Sequence, residues 1–134
     1  MKLGPEYYES VLLADWLTRH KILFTHFPAG EVRDHREVIR KGRRIRYSPA
    51  GAKLRRMGLL PGVSDYIIFD NSSGRQDGQF TFIELKAKQQ DGGRRPTPEQ
   101  IAFREAMRTR GHRAEWFYGA DAAIAWLESL GFGK

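Results

Sequence analysis

The chain has 134 residues, enough for one compact domain around a single core and too few for two. Its composition, 40% hydrophobic and 29% charged, is that of an ordinary globular protein, and it has no run of about 18 apolar residues that could span a membrane. It lacks cysteine, which excludes disulfides, thiolate nucleophiles and cysteine zinc sites, while a formal net charge of +7 points to a polyanionic partner.

Apolar spacing predicts a first helix over residues 6–20, with Pro5 suited to its first turn. A short strand is expected over 22–27. Residues 28–48 are polar and basic, and two apolar pairs, Val38-Ile39 and Ile45 with Tyr47, flank Lys41-Gly42 as in a small hairpin. A short helix over 49–57 would stop near Gly58. Strands are expected over 64–69 and 79–87, separated by an Asn-, Ser- and Gly-rich turn. Thr97, Pro98 and Gln100 read as cap, first helical residue and capping-box partner of a helix reaching about residue 110, with Ile101, Phe103, Ala106 and Met107 inward. A third core strand over 114–118 and a last helix over 121–130 complete a mixed α/β domain, 1–134, without repeat or linker.

Charge is concentrated. Arg33, Arg36, Arg40, Lys41, Arg43, Arg44 and Arg46 lie close together, and Lys53, Arg55 and Arg56 follow. Arginine predominates, and its planar fork suits bidentate contacts to phosphate. Nucleic acid is therefore the expected partner, with these residues as its contacts.

Chemistry centres on residues 61–86. Asp65 opens one apolar strand, and Glu84 and Lys86 sit two apart in another. Residues two apart share a strand face. If the strands pair, two carboxylates and an ammonium converge. Alone, Asp65 could simply bond backbone amides, and a Glu-X-Lys triplet could be a weak surface ion pair. Together they suit a divalent cation, because Mg²⁺ prefers carboxylate oxygens and few protein ligands. The carbonyl of Leu85 could complete the coordination. Such a cation neutralises a scissile phosphate and acidifies a bound water, and Lys86 could orient that water or meet developing charge. The four histidines, His20, His26, His35 and His112, show no metal-ligand spacing.

Asp65 followed by Glu84-Leu85-Lys86 resembles the PD-(D/E)XK nuclease signature. The words PGVSDYIIF, FIELKA and TPEQIAF narrow the resemblance to the VRR-NUC nucleases of phages and repair enzymes, over about residues 6–130. The resemblance implies a restriction-endonuclease-like mixed sheet with flanking helices. It implies Asp65 and Glu84 as ligands of Mg²⁺ (or Mn²⁺), Lys86 as catalytic lysine, Gln100 as the glutamine on the following helix, and Glu9 as the first-helix site glutamate. Glu6, one turn earlier, competes for that last role. Small members of the family resemble homodimers that cut branched DNA such as four-way junctions. A phage or bacterial cytoplasmic setting is expected, consistent with an N-terminus lacking a secretory pattern. A non-catalytic DNA-binding protein, a flap nuclease and an RNA-directed nuclease are the alternatives.

Overall fold

The computed structural model describes residues 3–27, 36–47, 49–71 and 78–134. The chain order is α1 (Pro5–Arg19), β1 (Phe24–His26), β2 (Arg36–Arg40), β3 (Arg43–Tyr47), α2 (Pro49–Arg56), β4 (Tyr66–Ile68), β5 (Thr81–Lys86), α3 (Pro98–Thr109), β6 (Arg113–Tyr118) and α4 (Ala120–Ser129). A turn of 3-10 helix, Gln89–Asp91, lies between β5 and α3. No helix among the described residues is long and apolar enough to cross a membrane.

Four strands form the central sheet in the order β1-β4-β5-β6. β4 is antiparallel to both neighbours, and β5 runs parallel to β6 through the crossover helix α3. The central strand β5 is covered on both faces, which is why TFIELK reads as a nearly continuous apolar run. Ile83 and Leu85 pack with Leu13, Trp16 and Leu17 of α1 and Ala120, Ala123 and Leu127 of α4. On the other face Phe82 packs with Phe103 of α3 and with Ala114. β2 and β3 form a separate two-stranded ribbon turning at Lys41-Gly42, as their spacing predicts.

The strands are shorter than the apolar runs suggest. Regular pairing of β4 with β1 ends because, in the next pair at each end, one backbone amide bonds a side-chain carboxylate while the other keeps its backbone partner. The Leu23 N–H donates to Asp70 Oδ2 at 2.7 Å, and at the other end the Asp65 N–H donates to Glu84 Oε2 at 3.2 Å. One inward assignment also changes. Ile101 is 39% exposed. It lies two residues from Phe103, about 200° around the helix, so both cannot face the sheet. On α1 the buried stripe is Glu9, Leu13, Trp16 and Leu17, leaving Tyr7, Tyr8, Val11 and Leu12 outward.

Candidate active site

The site forms where β4, β5 and α3 meet. Chain approach to it is set by Pro61-Gly62. Gly62 has φ +79, and a Cβ there would overlap the backbone of Glu99 and Gln100. Only glycine allows the turn before β4 to lie against the first turn of α3. Asp65 thereby comes opposite Glu84, one step beyond the Tyr66–Ile83 pair of the ladder.

At that step backbone pairing gives way to a reciprocal exchange. The Asp65 N–H donates to Glu84 Oε2, and the Leu85 N–H donates to Asp65 Oδ2 at 2.9 Å. Lys86, on the face of Glu84, holds its Nζ 3.5 Å from Glu84 Oε1. Gln100 joins these groups. Its Nε2 donates to Glu84 Oε1 at 2.5 Å, while its Oε1 accepts from Lys86 Nζ at 3.0 Å and from the Thr97 N–H at 2.9 Å. The Gln100 N–H also donates to Thr97 Oγ1 at 3.2 Å, completing a capping box. One glutamine thus caps α3 and fixes the ammonium beside the carboxylates. The structure brings together Asp65, Glu84, Lys86, Gln100 and the backbone of Leu85.

The electrostatics are unbalanced. Burial pushes Asp65 up to about 6, against the opposing pull of the Leu85 N–H. Burial and then the charge of Asp65 push Glu84 up to about 8, although Lys86 pulls it down. Two carboxylates share one ammonium, and a buried like-charge pair resists full ionisation. Among the described residues no group of three or more His, Cys, Asp or Glu surrounds this point. Two carboxylates beside a strand backbone still fit a hard divalent cation that keeps most of its waters. The missing positive charge is what such a cation carries.

The first-helix glutamates separate. Glu6 is close enough to Asp65 for its charge to help raise that carboxyl, and His26 acts in the opposite direction. His26 also meets the Tyr66 ring edge-on at 4.9 Å. Glu9, the expected site glutamate, has a backbone partner at the start of α4. It is 8% exposed, and its Oε1 accepts the Ala120 N–H at 2.8 Å, so it caps the N-terminus of α4. Its helix packs on the sheet face of Leu85, opposite the face that carries Glu84 and Lys86.

Of the expected nucleic-acid contacts, Arg33 lies outside the described residues. Arg36 and Arg40 lie on β2 and Arg46 on β3. Lys41, Arg43 and Arg44 are exposed at its turn, and Lys53, Arg55 and Arg56 are exposed on α2. The segment between β1 and β4 is tied to the site at both ends. The Phe27 N–H donates to the Asp65 carbonyl at 2.5 Å, and α2 leads into the Pro61-Gly62 turn.

Sequence reasoning missed a second polar cluster on the α3 face. Arg104 and Arg108 bind Glu115 at 2.9 and 2.7 Å. The Arg104 guanidinium lies 3.8 Å from the Trp116 ring centroid, and Trp116 is the β6 partner of Glu84. The only trace in the sequence is the i,i+4 spacing of the two arginines, which names no partner.

No protein-family model matches the chain, and no curated protein matches it. A solved structure described as a "VRR_NUC domain protein" is similar over 97% of this chain and 90% of its own, at 23% identity and a TM-score of 0.60. That likeness is one of fold. The mixed sheet with flanking helices is therefore the restriction-endonuclease-like fold expected from the sequence.

Proposed function

We propose that this chain is a metal-dependent DNA endonuclease of the VRR-NUC group, cutting branched DNA as a homodimer. The observation that carries the reading is the convergence of Asp65, Glu84, Lys86 and Gln100 at one end of β5, with both carboxylates under-neutralised. A purely DNA-binding surface gains nothing from two acids held where phosphates would lie. The carboxylates of Asp65 and Glu84, with the carbonyl of Leu85, would hold Mg²⁺ or Mn²⁺. Bound there, the cation would supply charge neutralisation at the scissile phosphate and a more acidic water. Lys86 would position that water or meet charge developing on the phosphate, and Gln100 keeps its ammonium from swinging away.

The basic residues of the ribbon and α2 would hold phosphates, which position a substrate without specifying sequence. The homodimer is supported by the outward apolar flank of α1, where Tyr7, Tyr8 and Leu12 are 49%, 57% and 52% exposed. A two-fold dimer would present two sites to a two-fold junction.

The test is a labelled panel of four-way junction, flap, single strand, linear duplex and RNA. Each is incubated with Mg²⁺, Mn²⁺ or chelator, using wild type and Asp65→Ala. Metal-dependent symmetric cuts in the junction, lost in the variant, are expected, and sedimentation should give a dimer that Leu12→Asp dissociates. Cutting of flaps or RNA alone would replace the substrate assignment. Tight DNA binding with no cutting in any metal would overturn the enzyme.

A further inference from the structure

We propose that the β2–β3 ribbon is a wedge, and that Ile39 inserts beside an opened base step where a DNA duplex branches. The proposal rests on the reading above for its substrate, DNA, and goes beyond it in naming how a branch is told from a linear duplex.

Three observations carry it. Ile39 is 75% exposed, more than any other large apolar residue described. Its register partner is Arg44, so the two lie side by side on one ribbon face. Around it Lys41, Arg43 and Arg44 are all exposed at the turn. Phosphates account for the cations but offer an isoleucine nothing. A base stack does, and apolar wedges flanked by cations unstack and kink duplexes in this way. The turn supplies the second observation. Lys41 and Gly42 have φ +53 and +75, the positive-φ pair of a tight hairpin turn, in which asparagine is far easier at the first position. The sequence places a cation at the ribbon tip despite that conformational cost. The third is placement. In sequence the ribbon lies between Phe27, whose N–H donates to the Asp65 carbonyl, and Asp65 itself, and its five-residue strands reach about 17 Å. A two-stranded ribbon is narrow enough to enter a groove.

Unstacking is easiest where pairing is already interrupted, so a wedge favours a branch point over continuous duplex. The probes are a four-way junction and a linear duplex of the same sequence. Both carry 2-aminopurine beside the branch position and are titrated with full-length protein in chelator. The wild type should brighten the junction probe and leave the linear one unchanged. Ile39→Ser should abolish the brightening and lower the junction-over-linear preference about tenfold, with linear affinity within about twofold of wild type. Ile39→Leu should behave as wild type. Brightening and preference that survive Ile39→Ser would overturn the wedge. So would a wild type that leaves the junction dark, or an Ile39→Ser variant that weakens both DNAs equally. A protein that brightens the junction through Ile39 yet cuts nothing in Mg²⁺ or Mn²⁺ would end the nuclease reading and leave the wedge standing.

Discussion

Asp65 and Glu84 face each other across two strands with Lys86 as the ammonium bonded into the site, and this imbalance has a thermodynamic signature. Asp65 is raised to about 6 and Glu84 to about 8. In the unfolded chain both ionise in the ordinary carboxylate range near 4. Between those limits the folded state holds more protons than the unfolded state, so stability is fullest at acid pH. It is lost as pH rises through about 6 and then about 8. Metal-free protein should therefore melt at a higher temperature at pH 5 than at pH 8.5. Mg²⁺ should raise Tm most at the alkaline end, and Glu84→Gln should flatten the upper part of the profile. Thermal melts across pH, with and without Mg²⁺, read all three. A pH-independent Tm without metal would contradict the imbalance. Glu9 gives the opposite kind of prediction. Glu9→Ala strips the acceptor from the buried Ala120 N–H and should cost about 1–3 kcal/mol, with kcat kept within a few-fold at temperatures where it is folded. Loss of cleavage at unchanged Tm would return Glu9 to the chemistry. The convergence of Asp65, Glu84 and Lys86 was legible because they lie within residues 61–86 and, once the strands pair, share a sheet face. The role of Glu9 was not, because its partner is 111 residues away.

At the level of elements, α3 does two jobs through one side chain. Gln100 closes the capping box with Thr97 and also holds Lys86 and Glu84. Thr97→Ala removes the acceptor of the Gln100 N–H and should cost about 1 kcal/mol. It should also lower kcat several-fold with little change in KM, because the lysine is loosened while phosphate contacts stay. Thr97→Ser should restore both. A Tm loss with kcat untouched would make the box purely structural. The box itself could be read directly from Thr97-Pro98-Glu99-Gln100, since every determinant is local. So could the ribbon, whose apolar pairs and Lys41-Gly42 turn fix its register. Strand ends could not be read this way. They depend on the carboxylates of Asp70 and Glu84 replacing ladder acceptors, which only the assembled sheet reveals. Ile101 was not legible because apolar character alone does not fix a helix face, and its two-residue offset turns it about 200° from buried Phe103.

For the whole molecule, the proposed function requires a chain of net charge +7 to bring polyanion to an acidic site. The Phe27 N–H donates to the Asp65 backbone carbonyl and the Pro61-Gly62 turn leads into Asp65, so the stretch of sequence that carries these cations begins and ends beside Asp65. On the proposed reading, attraction from those cations would act on the phosphate backbone at large, while Asp65 and Glu84 would repel phosphate locally until a cation neutralised them. Binding and cutting should therefore separate under substitution. Replacing Lys53, Arg55 and Arg56 of α2 with alanine should weaken binding to every duplex alike. The slope of log affinity against log salt should fall by about 0.9 for each phosphate that the variant no longer neutralises. The same triple variant at saturating DNA should keep kcat, since none of the three touches the Asp65–Glu84–Lys86–Gln100 network. Asp65→Ala should do the reverse, abolishing cutting while leaving the salt slope as it was and tightening metal-free binding. Fluorescence anisotropy over a salt series, alongside single-turnover cleavage, measures both. If the α2 variant instead lowered kcat with its salt slope intact, those cations would act at the scissile phosphate, and α2 would belong to the active site itself.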